Sequence, residues 1–371
     1  MKANASKKAK WGRIFRSFLL LLNVLNSLAL ILAYLGTHIS PVSAPFLAFF
    51  GLSYELWLLI ALGFFVFWLF VKRWFALVSL VTIGVGFNHL RHYFALTIRD
   101  NKVEHPIKVM SYNVHIFDFF DLDNRLDNRN RIFQFLEKEN PAIVCFQEFF
   151  QHDGATDFVT RDTIITLLNA PYYHERYTHD MAFERYFGTV TFSKFPIVNK
   201  GEISFANDPN NFCIYTDIDV DGKVVRVFNG HLGSIRFRDS DYGFFGEKGT
   251  GHYMDANEGQ KIYDRLEEAF KKRAAQVERV AQEIEKSPYP VILCTDMNDT
   301  PVSYCYRQFN RLLYDAFVES GNGTGTTYIG KMPANRIDYI FYSKGLVSAD
   351  FMTYPADFSD HKPISTLIGF E

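Results

Sequence analysis

The sequence predicts a layered α/β domain with a two-sheet core, preceded by an N-terminal membrane anchor. Three observations support this prediction: charge is unevenly divided along the chain, long uncharged apolar runs are confined to the first hundred residues, and short strand-like and helix-like segments alternate after them. A chain of 371 residues has room for two such parts, because a domain usually takes about 100 to 200 residues. We therefore divide it into a membrane anchor, residues 1–99, and a second domain, residues 100–371.

The net charge of -2 conceals two parts of opposite sign. Residues 1–99 hold ten Lys and Arg residues against the single acid Glu55, which gives +9, whereas the rest holds 29 basic and 40 acidic residues, which gives -11. This asymmetry predicts that the two parts contact different surroundings. A charge of -11 also argues against a broad nucleic-acid surface, because proteins that bind phosphate backbones present clustered Lys and Arg.

Three apolar runs predict transmembrane helices over residues 18–35, 46–71 and 74–94. A helix that crosses a bilayer needs about 20 apolar residues, and the second run, FLAFFGLSYELWLLIALGFFVFWLFV, meets that need best. The third run is the weakest, because His89, Arg91 and His92 crowd its end. A cleaved signal peptide is the alternative for the first run.

The distribution of Lys and Arg predicts the orientation of these helices, because such residues concentrate in cytoplasmic loops. The basic segment from Lys2 to Arg16, and the pair Lys72 and Arg73, are therefore expected in the cytoplasm. Three spans would place residues 100–371 outside the cytoplasm, whereas two would leave them inside. We expect a multi-pass membrane protein with an extracytoplasmic domain, and hence the lipid bilayer as a partner; no obligate protein partner is evident.

The remaining chain alternates between strand-like and helix-like segments. The predicted strands are residues 107–114, 142–146, 188–192, 212–220, 224–228, 291–294, 336–342 and 364–368. Helices are predicted over 128–139 and 258–286, each with one apolar face; the basic residues of the second, Arg273 among them, alternate with Glu and are expected to face solvent. The four cysteines have no metal-binding spacing and are interpreted as unpaired structural thiols.

Polar residues follow abruptly on five of the apolar runs, at the strand ends where active sites of α/β domains tend to form. They are Asn113, Glu148, His231, the group Asp296, Asn298 and Asp299, and the pair Asp360 and His361. Singly, each could be a helix cap, a solvated acid or a satisfied core histidine. Together they include carboxylates, carboxamides and imidazoles without a Gly-rich phosphate loop, which indicates a hard divalent cation beside a phosphate.

These five motifs, with RIDYIF before the last, resemble in content and order those of the endonuclease/exonuclease/phosphatase superfamily over residues 107–368. The resemblance implies a four-layer α/β sandwich and hydrolysis of a phosphoester with Mg2+, or alternatively Mn2+. It implies that Glu148 and Asn113 bind the metal, with Asp360 completing its shell. It further implies that Asp296 orients or deprotonates the attacking water.

The same resemblance implies roles for the remaining candidates. Asn298 and His231 would contact the scissile phosphate, and His361 would act as general acid/base or phosphate ligand, oriented by Asp338 of RIDY. In GTVTFSKFPI, Thr189, Ser193 and Lys194 match a strand that supports the site. One departure is His115, where the repair nucleases of the superfamily carry an acid; this weakens a repair-nuclease interpretation.

The predicted function is a membrane-anchored Mg2+-dependent phosphodiesterase whose substrate is a lipid headgroup. A membrane-tethered nuclease acting on DNA or RNA, and a catalytically inactive membrane scaffold, are the alternatives. An aromatic and glycine-rich insertion over residues 235–254 follows His231 and is expected to meet the substrate headgroup or the bilayer, or else to form a packed flap. Its candidate contact residues are Arg236, Arg238, Tyr242, Phe244 and Phe245.

Overall fold

The structure is a computed structural model that describes residues 2–97, 103–154, 157–181, 185–206, 208–235, 256–331 and 335–371. The chain divides into two compact units. The first comprises Met1–Arg91 with Val302–Tyr304, and the second comprises His92–Pro301 with Cys305–Glu371. The insertion predicted over residues 235–254 lies, apart from Ile235, outside the described residues.

The first unit is helical. Its elements are α1 (Lys2–Gly36), α2 (Pro45–Leu52), α3 (Tyr54–Val71), a 3-10 turn (Arg73–Phe75), α4 (Ala76–Val85) and the start of α5 (Phe87–Tyr93). Two segments, Trp11–Gly36 with 26 residues and Tyr54–Val71 with 18, are long and apolar enough to cross a membrane. By length and composition alone, a signal sequence or the core helix of a soluble protein would pass the same test.

The prediction of a third transmembrane helix over residues 74–94 is wrong. The segment forms a 3-10 turn, the ten-residue helix α4 and the seven-residue helix α5, with a break at Gly86. At about 1.5 Å per residue, α4 spans about 15 Å, roughly half of a bilayer core. A side chain at Gly86 would collide with the ring of Tyr34, so the glycine lets α1 pass close by and interrupts the apolar run. The predicted second run is also divided, since Ser53 separates α2 from α3.

The second unit contains all of the described strands. They are β1 (Ala95–Leu96), β2 (Ile107–Asn113), β3 (Ile143–His152), β4 (Tyr172–Met181), β5 (Arg185–Ser193), β6 (Ile197–Ser204), β7 (Phe212–Val220), β8 (Lys223–His231), β9 (Val291–Asp296), β10 (Tyr314–Asp315), β11 (Asn322–Gly323), β12 (Asp338–Tyr342), β13 (Leu346–Thr353) and β14 (Ile364–Phe370). Its helices after α5 are a 3-10 turn (His115–Asp118), α6 (Arg125–Glu139), α7 (Thr160–Leu168), α8 (Ala256–Glu285), α9 (Tyr304–Asn310) and α10 (Ala316–Ser320).

Two six-stranded mixed sheets form the framework of this unit. Their strand orders are β13-β14-β2-β3-β5-β4 and β10-β12-β9-β8-β7-β6. Each sheet is antiparallel except for one central parallel pair, β2 with β3 in the first and β8 with β9 in the second. Because parallel neighbours end at the same edge of a sheet, the polar residues that follow these four strands are brought together.

The core lies between the two sheets and beneath the helices. Val109 and Ile143 of the first sheet belong to the same buried cluster as Val227, Ile292 and Ile340 of the second. A second cluster packs the other face of the first sheet against α6 and α7. The α/β class and the two sheets flanked by helices are therefore confirmed.

Candidate active site

The central strands of the two sheets end in the polar residues that the sequence singles out. In the first sheet, Asn113 is paired with Gln147, the residue before Glu148. In the second sheet, His231 is paired with Asp296, and Asp296 is also paired with Asp338 on its other side. Most of the buried residues earlier in these strands are apolar, so the cluster of polar side chains at the strand ends marks the edge of the core.

Glu148 is turned toward this edge by a bulge in β3. Phe146 pairs with Val190 and Phe149 pairs with Gly188, so three steps along β3 face only two along β5. Glu148 takes up the extra residue with a φ of 50°, in the left-handed region that non-glycine residues seldom adopt. Such local strain persists where surrounding structure enforces it and is common at functional sites.

The amide of Asn113 links the carboxylates of the two sheets. Its Nδ2 donates to Oδ2 of Asp296 at 2.8 Å and to Oε1 of Glu148 at 3.2 Å. Its Oδ1 accepts a hydrogen bond from the backbone N–H of His115 at 2.9 Å. In this orientation Asn113 binds the carboxylates of Glu148 and Asp296 through Nδ2, and its Oδ1 would reach a metal ion only after the amide rotates. The role of Asn113 as a metal ligand stays a prediction.

Asp296 lies at the centre of the group and is 1% exposed. Its Oδ2 lies 3.6 Å from Nε2 of His231 and 3.8 Å from Nε2 of His361. Burial raises the pKa of Asp296 to about 6, against the opposing effect of the His361 charge. A carboxylate with its pKa near neutrality is suited to take a proton from water.

His361 and Asp338 form a hydrogen-bonded pair beside Asp296. Nδ1 of His361 lies 2.8 Å from Oδ2 of Asp338, and both residues are buried. The ring of Tyr328 packs edge-on against the imidazole, with centroids 5.3 Å apart. Burial lowers the pKa of His361, but the charges of Asp338 and Asp296 outweigh it, so that the pKa is raised well above the ordinary value.

Asn298 and His231 are connected through the backbone of Leu232. The Nδ2 group of Asn298 donates to the carbonyl of Leu232 at 3.0 Å, and the N–H of Leu232 donates to the carbonyl of Asp296 at 3.0 Å. The backbone N–H of Asn298 in turn donates to Oδ1 of Asp296 at 3.0 Å. Asn298, with a φ of 53°, thus closes a tight turn that holds the ends of β8 and β9 together.

Asp360 and His115 lie close to each other, and the charge of Glu148 acts on both of them. Nδ1 of His115 lies 2.8 Å from Oδ1 of Asp118 and 3.8 Å from Oδ1 of Asp360. The hydrogen bond to Asp118 raises the pKa of His115 to about 9, so this imidazole carries a positive charge at neutral pH. The departure from the repair-nuclease pattern therefore places a cation where those enzymes have a carboxylate.

The donor set fits a divalent metal ion. Within the described part of the chain, Oδ1 of Asp360 and Oδ1 of Asp338 are buried and accept no hydrogen bond. Buried carboxylate oxygens without donors are costly unless a nearby cation compensates them, as His115 does in part for Asp360 at 3.8 Å. Hard divalent cations prefer such oxygens as ligands. Asp296, Asp338 and His361 also present ligand atoms within 4.8 Å of one another, although the sequence assigns them to catalysis rather than to metal binding.

A cleft of about 240 Å³ opens beside Glu148 and His231. Thr189 lines it together with Phe187, Asn211 and other residues, so this member of the GTVTFSKFPI motif lies at the site. Ser193 and Lys194 do not, because Ser193 pairs with Ile143 at the far end of the strand and Lys194 contacts Asn140. The candidate contacts from Arg236 to Phe245 lie outside the described residues.

Two buried amides support the site. Asn229 escapes the sequence analysis, whereas Gln147 precedes Glu148 in the motif that closes AIVCFQE but is given no role there. Gln147 and Asn229 are completely buried, and Nε2 of Gln147 donates to Oδ1 of Asn229 at 2.8 Å. Asn229 donates in turn to the carbonyl of Val190 at 3.0 Å, which joins the two sheets directly beneath the site. The position of each amide in a largely apolar strand segment, next to or near a motif residue, is the signal for a supporting role.

The sequence profile of the Endonuclease/Exonuclease/phosphatase family matches residues 110–361. This range contains every candidate site residue described above. A second profile, described only as a domain of unknown function, matches residues 16–93, which lie in the helical part of the chain. No curated protein matches the chain.

Solved structures similar to this chain carry the same fold. An endonuclease/exonuclease/phosphatase from Beutenbergia cavernae superposes with a TM-score of 0.51 at 17% identity and covers 72% of each chain. A family protein from Leptotrichia buccalis has a TM-score of 0.50 at 15% identity, covering 71% of this chain and 99% of its own. The human Nocturnin catalytic domain, solved with a bound sulfate anion, has a TM-score of 0.50 at 18% identity, covering 72% and 95%. At these identities the likeness establishes the architecture of the second unit.

Proposed function

The chain belongs to the endonuclease/exonuclease/phosphatase family and is a metal-dependent hydrolase of phosphoester bonds, and on that premise we propose that it is a membrane-anchored, Mg2+-dependent phosphodiesterase acting on a lipid headgroup. One observation carries the catalytic part of this proposal. Polar side chains from the ends of both sheets converge on Asp296, with two imidazoles and one amide in reach of its carboxylate.

Glu148 and Asp360, with Asn113, would hold the Mg2+ ion. Bound there, the ion would neutralise charge that develops on the phosphate oxygens. Glu148 suits this position because its pKa is lowered overall: burial raises it, but the charges of His231, His115 and His361 more than compensate. Glu148 is therefore ionised at neutral pH and available as an oxygen ligand.

Asp296 would accept a proton from the attacking water. Its carboxylate is held by Asn113 and by the backbone of Asn298, so its orientation is fixed before the substrate arrives. His231 would contact the scissile phosphate from Nε2, a buried atom that has no hydrogen-bond partner among the described residues. Groups aimed in advance at the developing charge supply much of the stabilisation of a transition state.

His361 would donate a proton or a hydrogen bond to the phosphate through Nε2. Because Nδ1 faces Asp338, that carboxylate fixes the orientation of the ring and favours the protonated imidazole. Asn298 would add a neutral hydrogen-bond donor to the same phosphate, after exchanging its contact with Leu232. The two residues would together bind an anion without the basic surface typical of nucleic-acid proteins.

The membrane part of the proposal rests on the first unit. Large apolar side chains are exposed along it, among them Leu59, Phe70 and Val81, with exposures of 66%, 86% and 62%. Exposed apolar surface of this kind indicates contact with lipid or protein. Two spans, Trp11–Gly36 and Tyr54–Val71, would return the chain to the side of its basic N-terminus, with Lys72 and Arg73 on the same side.

A lipid headgroup is favoured as substrate because an enzyme held at a bilayer meets lipids at high local concentration. The charge of -11 on residues 100–371 points the same way, since it opposes extended binding of DNA or RNA. A nuclease is the alternative, because the family name carried by the similar structures from Beutenbergia cavernae and Leptotrichia buccalis covers endonucleases, exonucleases and phosphatases alike. An inactive scaffold is disfavoured because the acids, amides and imidazoles of the site are all present.

The test uses the full chain purified in detergent. We expect Mg2+-dependent hydrolysis of bis-p-nitrophenyl phosphate, with Glu148→Ala and His361→Ala strongly impaired. No hydrolysis, or equal rates in both variants and the unmodified chain, would contradict the catalytic proposal. Parallel incubation with sphingomyelin, phosphoinositides, plasmid DNA and RNA separates the substrates, and rapid cleavage of DNA without lipid turnover would favour the nuclease.

Protease protection in sealed vesicles tests the membrane topology. If two spans insert, the C-terminus lies on the cytoplasmic side. A C-terminal tag should then be digested only when the protease has access to the cytoplasmic face. Digestion from the opposite face would indicate an odd number of spans.

A further inference from the structure

Helix α8 carries two buried polar residues that contact the segment next to His231. Arg273 and Gln276 are 1% and 2% exposed, although the sequence predicts that the basic residues of this helix face solvent. They lie three residues apart and hence on one face of the helix. Burial of a guanidinium is costly without hydrogen-bond partners, so Arg273 is expected to have specific partners inside the protein.

Both polar groups of the Gly233 peptide unit are held by these two side chains. The N–H of Gly233 donates to Oε1 of Gln276 at 2.8 Å, and its carbonyl accepts from Nη1 of Arg273 at 2.9 Å. A side chain at position 233 would lie within 3.1 to 3.4 Å of Lys272, Gln276 and Asp208, so the glycine permits this close approach. Gly233 follows His231 by two residues and Leu232, the partner of Asn298, by one.

Arg273 also reaches the other catalytic loop. Its Nε lies 3.4 Å from Oδ2 of Asp299, the residue after Asn298, and Asp299 is itself buried. One guanidinium therefore binds the loop after β8 and the loop after β9 at once. Arginine suits this task because its planar group offers several donors in fixed directions.

Gln276 extends the same network to the cleft. Its Nε2 donates to Oδ2 of Asp208 at 3.1 Å, and Asp208 accepts from Nδ2 of Asn211 at 2.6 Å. Asn211 lines the cleft beside Glu148 and His231. The helix thus fixes three segments that border the site, and each is held through buried hydrogen bonds.

We propose that Arg273 and Gln276 are positioning residues that set the geometry of His231 and Asn298 for catalysis. The inference rests on the proposed function, because the positioned residues are those assigned to the phosphate. Neither residue touches the reacting atoms. Their loss would leave Gly233 and Asp299 with unpaired buried groups, and the two loops would sample geometries that no longer align with Asp296.

The matched control is Arg226, which also pairs with a buried aspartate. Its Nε and Nη2 donate to Asp217 at 2.6 and 2.8 Å. It lies on β8 five residues before His231, about 16 Å away along the strand. Arg226→Met removes the same kind of arginine–aspartate pair at a position that contacts neither catalytic loop.

The experiment compares Arg273→Met, Arg273→Lys, Gln276→Leu and Arg226→Met in the full chain. We expect kcat to fall roughly 10- to 100-fold in Arg273→Met and Gln276→Leu with little change in KM, as is typical when the residues that orient a site are removed. Arg273→Lys should recover part of the loss, and Arg226→Met should keep kcat within about twofold. A similar loss of kcat in Arg226→Met would overturn the proposal.

Hydrogen exchange provides a readout that does not depend on activity. In Arg273→Met we expect faster exchange in peptides covering residues 229–235 and 296–300 than in the unmodified chain, with β2 and β14 still protected. Unchanged exchange in both peptides would overturn the proposal even if the variant is less active. If the unmodified chain hydrolyses no phosphodiester, the proposed function fails, and this measurement still decides whether Arg273 holds the loops.

Discussion

Nδ1 of His361 lies 2.8 Å from Oδ2 of Asp338, and the opposite nitrogen of the ring lies 3.8 Å from Asp296. The imidazole is therefore held between two carboxylates from adjacent strands, β12 and β9. A histidine in this setting keeps one orientation and remains protonated at neutral pH. Asp338 controls both properties without having to touch the substrate.

Asp338→Asn is expected to lower kcat about 10²- to 10⁴-fold while the fold is retained. An amide can still accept a hydrogen bond from the ring, but it no longer stabilises the imidazolium, and its Nδ2 can force the wrong tautomer. The measurement is kcat for bis-p-nitrophenyl phosphate together with circular dichroism. Asp350→Asn, at an exposed position of β13, is the control and should be fully active; full activity of Asp338→Asn would contradict the assigned role.

Glu148→Gln is expected to weaken Mg2+ binding and lower kcat/KM about 10²- to 10³-fold, because the amide lacks the charge that attracts a hard cation. Calorimetric titration of the full chain with Mg2+ measures the affinity for the ion, and activity assays over the same range of Mg2+ measure kcat/KM. Glu202→Gln removes a carboxylate that pairs with Arg176 on the sheet edge and should leave both quantities unchanged. Unaltered Mg2+ affinity in Glu148→Gln would exclude it as the principal ligand.

The acidic side of the pH profile should report on Asp296, whose pKa burial raises to about 6. Below that pKa the carboxyl group is protonated and cannot accept a proton from water, so kcat should fall as the pH drops through about 6. A cation bound next to Asp296 would move the fall to lower pH by favouring the ionised form. A rate that stays constant from about pH 7 down to pH 4 would argue against Asp296 as the base.

Much of this site follows from the sequence because the chemistry is located at strand ends. Asn113, His231 and Asp296 each come directly at the end of an apolar run, and the structure brings them to one edge because their strands form the parallel pairs of the two sheets. Parallel pairing itself cannot be inferred from local pattern, since it joins segments far apart in the chain. The resemblance to a known family implied a four-layer sandwich but not which strands pair, and the structure supplies those pairs.

Other features depend on tertiary contacts that local sequence does not encode. The sequence analysis missed β4, YYHERYTHDM, because its residues do not alternate between apolar and polar, and the strand is held by pairing with β5. The bulge at Glu148 and the left-handed Asn298 are imposed by neighbours against intrinsic preference. The sequence predicts that Arg273 faces solvent on a charged helix. Its burial is explained by its contacts with the carbonyl of Gly233 and the carboxylate of Asp299.

Arg336→Met is expected to destabilise the second unit by about 3 to 5 kcal/mol, because removal of one partner leaves a charge buried without compensation. Arg336 is 1% exposed, its Nη2 lies 2.7 Å from Oδ2 of Asp315, and its guanidinium packs 4.5 Å from the ring centroid of Phe317. Asp315 also caps α10 by accepting from the N–H of Phe317. Thermal unfolding followed by near-ultraviolet circular dichroism should therefore show a lower Tm.

The control is the double variant. Asp315→Asn in the Arg336→Met background removes the unpaired charge, so the double variant should be less destabilised than the sum of the two single changes. A strictly additive result would mean that the pair contributes nothing as a pair, and that the burial of Arg336 among aromatic rings carries its effect.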